Sequence, residues 1–175
     1  MNTTLLLLRH AEAANPPMGD FSEIADRSRP LTAAGQAAAQ RCGLWLRQKG
    51  LSPDYVLCSP ALRTRQTLAG LQPFLTPLKA EPLFCPDIYE APPEALLAQI
   101  QKAPPHARSV LLVGHNPGIS ALVRALDPMA MELDQGFATG SIAVFTAWSS
   151  EDSEQAPEWS RYDNHNLTLD TFARP

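Results

Sequence analysis

Two arginines and two histidines stand where buried strands give way to polar chain, a combination suited to handling phosphate. Arg9 and His10 follow the apolar run Thr4-Leu5-Leu6-Leu7-Leu8, and His115 follows Ser109-Val110-Leu111-Leu112-Val113 in Gly114-His115-Asn116. Arg63 closes Ser59-Pro60-Ala61-Leu62-Arg63, directly after Asp54-Tyr55-Val56-Leu57-Cys58. Guanidinium forks match phosphate oxygens bidentately, and helix N-termini add free amide donors. A histidine that attacks phosphorus has to be neutral and held in one tautomer, whereas a second histidine on the equatorial oxygens is most useful protonated. Arg9, Arg63 and a protonated His115 would stabilise a transferring phosphoryl group without a metal. No carboxylate pair with metal-ligand spacing suggests the other route. A lone histidine after a strand is ordinarily a buried hydrogen-bonding residue, and the recurrence of the pattern at a second strand end is what argues for chemistry. Arg63 alone would be a surface residue, but it shares a helix side with Gln66 and Thr67 at i+3 and i+4 and could reach back over the helix start.

These residues need a sheet to gather them. Short continuous apolar runs read as strands covered on both faces. Between them, Thr32 is a candidate N-cap for a helix running to about Lys49 and stopped by Gly50. Ser59-Pro60 offers an N-cap hydroxyl and an N1 proline for the next helix. Leu78 to Phe84 reads as a weaker strand, Pro93 to Lys102 as a helix, and Gly118 to about Leu126 as another. Ser141 to Phe145 and Leu167 to Leu169 are expected as antiparallel edge strands around the polar loop Ser149 to Pro157. Ala11 to Pro30 reads as irregular. Alternating strands and helices predict an α/β fold, a three-layer α/β/α sandwich with a mostly parallel central sheet and an antiparallel C-terminal edge. Ligands of such sheets bind beyond the carboxyl ends of the strands.

The totals exclude several classes. The chain has 175 residues, 45% of them hydrophobic, which predicts one domain over residues 1–175. A net charge of -4 argues against nucleic-acid binding. Cys42, Cys58 and Cys85 form neither a disulfide framework nor a zinc knuckle, which fits a reducing cytoplasm, and Arg9 and His10 cut the first apolar run short of a membrane span. His106 and His165, in polar surroundings, read as solvated, and Cys58 as a small apolar filler. The 17 prolines cluster as punctuation between elements.

Leu7-Leu8-Arg9-His10-Ala11-Glu12-Ala13 resembles the signature of the histidine phosphatase superfamily, which has the phosphoglycerate mutase-like fold. Three more segments follow in the order of that family: Arg29-Pro30-Leu31-Thr32-Ala33-Ala34-Gly35, Cys58-Ser59-Pro60-Ala61-Leu62-Arg63-Thr64-Arg65-Gln66-Thr67, and Val113-Gly114-His115-Asn116-Pro117-Gly118. The Thr139-Gly140-Ser141 turn is also familiar. The branch most similar is the short, SixA-type phosphohistidine phosphatases. The resemblance implies a phosphohistidine intermediate on His10, a phosphate pocket completed by Arg9, Arg63 and His115, and no cofactor or metal. Ala11 stands where the commoner pattern has glycine, a familiar variant in the short branch.

Superfamily members that act on esters protonate the leaving oxygen with a carboxylic acid from the segment corresponding to Pro86-Asp87-Ile88-Tyr89-Glu90-Ala91. Glu90 is the candidate general acid here and Asp87 the second. A phosphoramidate needs less help, because its nitrogen can leave already protonated. The chain has little room for a large cap insertion, so an open pocket is expected. That favours a phosphorylated protein, such as a histidine-containing phosphotransfer domain, as partner and substrate. A broad phosphomonoesterase for small phosphorylated substrates, with Glu90 as acid, is the alternative. A non-catalytic phosphate-binding module is disfavoured, because binding alone needs no nucleophile.

Overall fold

The computed structural model of the chain describes residues 3–75, 81–129, 136–147, 158–163 and 165–175. The expected three-layer α/β/α architecture is present. Strand β1 (Thr3–Arg9) is followed by a short helix α1 (Glu23–Arg27) and a long helix α2 (Ala33–Gln48). Then come β2 (Tyr55–Cys58), α3 (Leu62–Leu71), β3 (Leu83–Phe84) and α4 (Pro93–Ile100). The chain continues through β4 (Ser109–Gly114), α5 (Gly118–Leu126), β5 (Ile142–Ala147) and β6 (Leu167–Ala173). The six strands form one sheet in the order β3-β2-β4-β1-β5-β6, parallel from β3 to β1 and antiparallel at β5 and β6.

The run of four leucines is central because both its faces are covered. Leu5 and Leu7 pack with Leu96, Ile119 and Leu122 under α4 and α5, while Leu6 and Leu8 pack with Cys42, Leu46 and Leu68 under α2 and α3. All four leucines are fully buried. The order β2-β4-β1 sets three parallel strand ends side by side, so the loops bearing Arg63, His115 and Arg9-His10 emerge at one edge.

Local signals hold in part. Thr32 caps α2 by accepting the Gly35 N–H at 3.0 Å, and Gly50 takes the left-handed backbone (φ 68°) just past the helix end. Ser59 does not cap α3. That helix begins at Leu62 with Ala61 in the capping position and no side-chain cap, because the Ser59 hydroxyl is taken up by His115. Of the weak strand expected from Leu78, only Leu83 and Phe84 pair among the described residues, and 78–80 lie outside them. The strand β5 is not an edge; it lies between β1 and β6, leaving β6 outermost. The loop 149–157 lies outside the described residues. Among the described residues no helix is long and apolar enough to cross a membrane.

Helix α2 sits directly on the chain that follows β1. A Cβ built on Gly35 would overlap the Glu12 carbonyl, two residues beyond His10. Gly35→Ala therefore has to push the two segments apart. It is expected to lower stability by about 1–3 kcal/mol, as overpacked sites do, measured by denaturant unfolding. Wild-type stability would show that the contact yields freely.

Candidate active site

His10 leaves β1 with its backbone fixed on both sides. Its N–H donates to the Gly114 carbonyl of β4 at 3.0 Å, and its own carbonyl accepts the Gly140 N–H at 3.1 Å. The side chain is 7% exposed, and Nδ1 lies 2.7 Å from the Ala11 carbonyl oxygen. A carbonyl can only accept, so Nδ1 carries the hydrogen and Nε2 keeps a free lone pair. Burial, with the charges of Arg63, Arg9 and Arg29, pushes the His10 pKa down to about 4 against the opposing pull of that carbonyl. At neutral pH His10 is therefore an uncharged imidazole in one tautomer, the form a nucleophile requires.

His115 faces it, with ring centroids 5.3 Å apart. Its Nε2 is 2.7 Å from the Ser59 hydroxyl, which also accepts the Ala61 N–H at 3.5 Å. In the tautomer this network favours, Ser59 donates to Nε2 and the ring hydrogen sits on Nδ1. A protonated His115 was expected, and the surroundings of the ring work against that form. Burial first, then the charge of Arg63, depresses its pKa to about 3, with Asp26 opposing. His115 is thus a neutral donor through Nδ1 until an anion enters and offsets the arginine charge.

Arg9 is anchored by Nη1 on the Phe137 carbonyl at 2.9 Å, which Asn116 Nδ2 also contacts at 2.9 Å. Arg63, 3% exposed, lies in the first turn of α3. The expected helix side is the one that meets the site: Thr67 Oγ1 accepts the Ala11 N–H at 3.0 Å and Gln66 Oε1 accepts the Leu31 N–H at 2.7 Å. Three buried side-chain nitrogens find no acceptor among the described residues: Arg9 Nε, Arg63 Nε and His115 Nδ1. Leaving such a group unpaired costs about 1–3 kcal/mol, and each comes from a different strand-end loop around His10. The arrangement gathers donors without acceptors around an imidazole whose Nε2 keeps a free lone pair.

Two residues of this site, Asp26 and Tyr89, carried no role in the sequence reading. Asp26, on α1, accepts from Arg63 Nη2 through Oδ2 at 2.9 Å and from Arg29 Nη1 through Oδ1 at 2.9 Å. Its backbone carbonyl accepts from Arg63 Nη1 at 2.7 Å. Burial would raise its pKa, but hydrogen bonds from Tyr89 and Arg29 and the charge of Arg63 hold the carboxyl well below the usual range. Tyr89 donates to Asp26 Oδ2 at 2.6 Å and sets its ring edge-on to His115, while Arg27 lies 4.1 Å over the same ring. Burial and the Asp26 carboxylate push the Tyr89 hydroxyl up to about 12, so it stays a donor. The signal that could have found Asp26 is its i, i+3 spacing from Arg29, which pairs with it, and Tyr89 lies inside the segment already singled out for its carboxylates.

Those carboxylates separate. Glu90 is exposed, holds the left-handed backbone at φ 48°, and lines an open groove of about 410 Å³ shared with Asp26 and Tyr89. Asp87 accepts from Gln99 Nε2 at 3.1 Å on the α4 side. His106 and His165 are exposed. Among the described residues no group of three or more His, Cys, Asp or Glu could hold a metal ion.

A sequence model of the histidine phosphatase superfamily (branch 1) matches residues 5–85. The phosphohistidine phosphatase SixA of Escherichia coli K12 is 30% identical over 145 residues, covering 81% of this chain and 84% of that protein. The chain belongs to the histidine phosphatase superfamily. An uncharacterised Mycobacterium tuberculosis protein is 35% identical over 144 residues, covering 78% of this chain and 85% of its own. A structure provisionally named phosphohistidine phosphatase SixA, from Nakamurella multipartitia, superposes with a TM-score of 0.81 at 30% identity, covering 100% of this chain and 97% of the other. The fold is therefore phosphoglycerate mutase-like in its short form, and the chain is a phosphatase by class.

The depressed His10 pKa has a kinetic signature. The neutral form persists as pH falls until about 4. Since kcat/KM reports ionisations of the free enzyme, its acid limb, corrected for substrate ionisation, is expected near pH 4. A limb near the ordinary histidine value of ~6.5 would contradict the buried, arginine-flanked imidazole.

Proposed function

We propose that the chain is a metal-independent phosphatase that removes phosphate from phosphohistidine in proteins through a phosphoryl group carried on His10. The observation that supports this reading is the free Nε2 of neutral His10 amid the unpartnered nitrogens of Arg9, Arg63 and His115. In the first step, the Nε2 lone pair forms a bond to phosphorus as the bond to the leaving nitrogen breaks; that nitrogen takes the bonding pair, and the substrate imidazole departs neutral with its proton on the other ring nitrogen. In the second, water attacks the phosphoryl group, Nε2 recovers its lone pair, and inorganic phosphate leaves. Arg9, Arg63 and His115 hold the equatorial oxygens in both steps, supplying the charge stabilisation that a metal would otherwise provide.

A protein substrate is favoured by the small amount of chain available to roof the pocket. Between Ala11 and Thr32 the only helix among the described residues is the five-residue α1, which supports a reading of one domain without a large cap and with an open pocket mouth. A phosphorylated side chain on a partner, such as a histidine-containing phosphotransfer domain in the cytoplasm, can enter such a mouth. A pure phosphate-binding module has no use for an imidazole held neutral in one tautomer. Label from a 32P-phosphohistidine protein is expected on His10 under rapid quench and absent in His10→Ala, with full turnover in the presence of a chelator. Release of phosphate from aryl esters but from no phosphohistidine protein would overturn the substrate assignment, and inactivation by chelation would overturn the metal-free mechanism.

The second reading, a broad phosphomonoesterase, draws on Glu90. An L-residue held at φ 48° on the rim of the groove beside the pocket is a strained position of the kind that clusters at functional sites. If Glu90 protonates a leaving oxygen, Glu90→Gln should lose ~10²-fold or more on an ester and much less on a phosphoramidate. Equal rates for both proteins on the ester would remove Glu90 from the mechanism.

A further inference from the structure

Arg63 is held by one edge only. Its guanidinium has an end edge, formed by Nη1 and Nη2, and a side edge, formed by Nε and the second hydrogen of Nη2. Asp26 occupies the end edge, the backbone carbonyl on Nη1 at 2.7 Å and Oδ2 on Nη2 at 2.9 Å. The side edge is buried and its Nε has no acceptor among the described residues. Asp26 is itself fixed, with Oδ1 on Arg29 Nη1 and Oδ2 on the Tyr89 hydroxyl as well as on Arg63. Arg29 is tied in turn to the Ala14 carbonyl through Nε at 2.7 Å, and Tyr89 is clamped between Arg27 and His115.

We propose that Asp26 is the positioning residue for Arg63: by taking the end edge it presents the side edge, Nε with Nη2, to a phosphoryl group on His10. This rests on the reading of the pocket as a phosphoryl-transfer site. Both Asp26 oxygens must accept, since donors approach each of them, so the residue cannot be replaced by its amide. Asparagine has one acceptor oxygen and would turn an NH2 group towards Arg29, or towards Arg63 and Tyr89. Arg63 would then lose its aligned fork while keeping its charge, which weakens stabilisation of the transferring phosphoryl more than binding of the ground-state anion.

The test is a double-mutant cycle on p-nitrophenyl phosphate, with thermal unfolding and inhibition by inorganic phosphate measured in parallel. Asp26→Asn is expected to lower kcat tenfold or more, without raising the inhibition constant of phosphate. In an Arg63→Ala background the same substitution should change kcat less than threefold, because the group through which Asp26 acts is gone. A merely structural Asp26 would give the same fold loss in both backgrounds, and that result overturns the proposal, as does a kcat for Asp26→Asn within threefold of wild type. Should Asp26→Asn fail to fold, Tyr89→Phe removes one donor to Oδ2. It should produce a few-fold loss of kcat that also vanishes in the Arg63→Ala background, and persistence there would count equally against the idea. Failure of the phosphatase reading is separately visible, as wild-type protein that releases no p-nitrophenol and takes no label on His10.

Discussion

The parallel pairing of β1 with β4 is the constraint on which the site depends. Its register sets Arg9 opposite Gly114, and the His10 amide then donates to the Gly114 carbonyl. Two histidines from chain segments more than a hundred residues apart are thereby brought to ring centroids 5.3 Å apart. The pairing is secured by side chains that do no chemistry, since Leu5 to Leu8 and Val110 to Val113 are fully buried on alternating faces of the sheet. A shift of one residue would exchange the two leucine pairs between faces and move His10 off its carbonyl partner, so packing in the core fixes geometry at the rim.

Charge in the pocket is arranged around that geometry. Three guanidinium groups, from Arg9, Arg29 and Arg63, depress the pKa of His10, and burial acts in the same direction. Burial and arginine charge thus favour the neutral form of both histidines, and Asp26 is the carboxylate that touches two of the three arginines. The empty pocket therefore carries net positive charge without a protonated histidine. An incoming phosphate meets fixed donors and need not reorganise them, which is the condition under which electrostatic stabilisation is most effective.

The sheet was legible because a buried strand writes a continuous apolar run, and Arg9-His10 and Gly114-His115 interrupt two such runs sharply. Thr32 and Gly50 marked the ends of α2 by side-chain chemistry and backbone freedom. Ser59 carried the same capping signal and misled, since a hydroxyl that can cap a helix can equally bind a histidine from a distant strand. The helix α1 was invisible for a different reason. It has five residues and buries none of them, so no apolar period announced it, although Ser22 caps it through the Ala25 N–H. With α1 went Asp26, whose importance comes from partners on α3 and beside Tyr89 that only the folded chain brings together. The strand β3 pairs through just two residues, both exposed, so the weak apolar pattern from Leu78 to Phe84 located it without fixing its start.

That helix bears on how such an enzyme can change. Met18, Phe21 and Ile24 stand almost fully in solvent around it, and its ties to the rest of the molecule run through the polar contacts of Asp26 and Arg27. Residues there can be exchanged, or the segment lengthened, with little penalty to the leucine core beneath. The exposed face of α1 and the integrity of the fold are thus open to separate selection, and a lineage can rewrite that face while Asp26 keeps its hold on Arg63 and the sheet keeps Arg9, His10 and His115 in place.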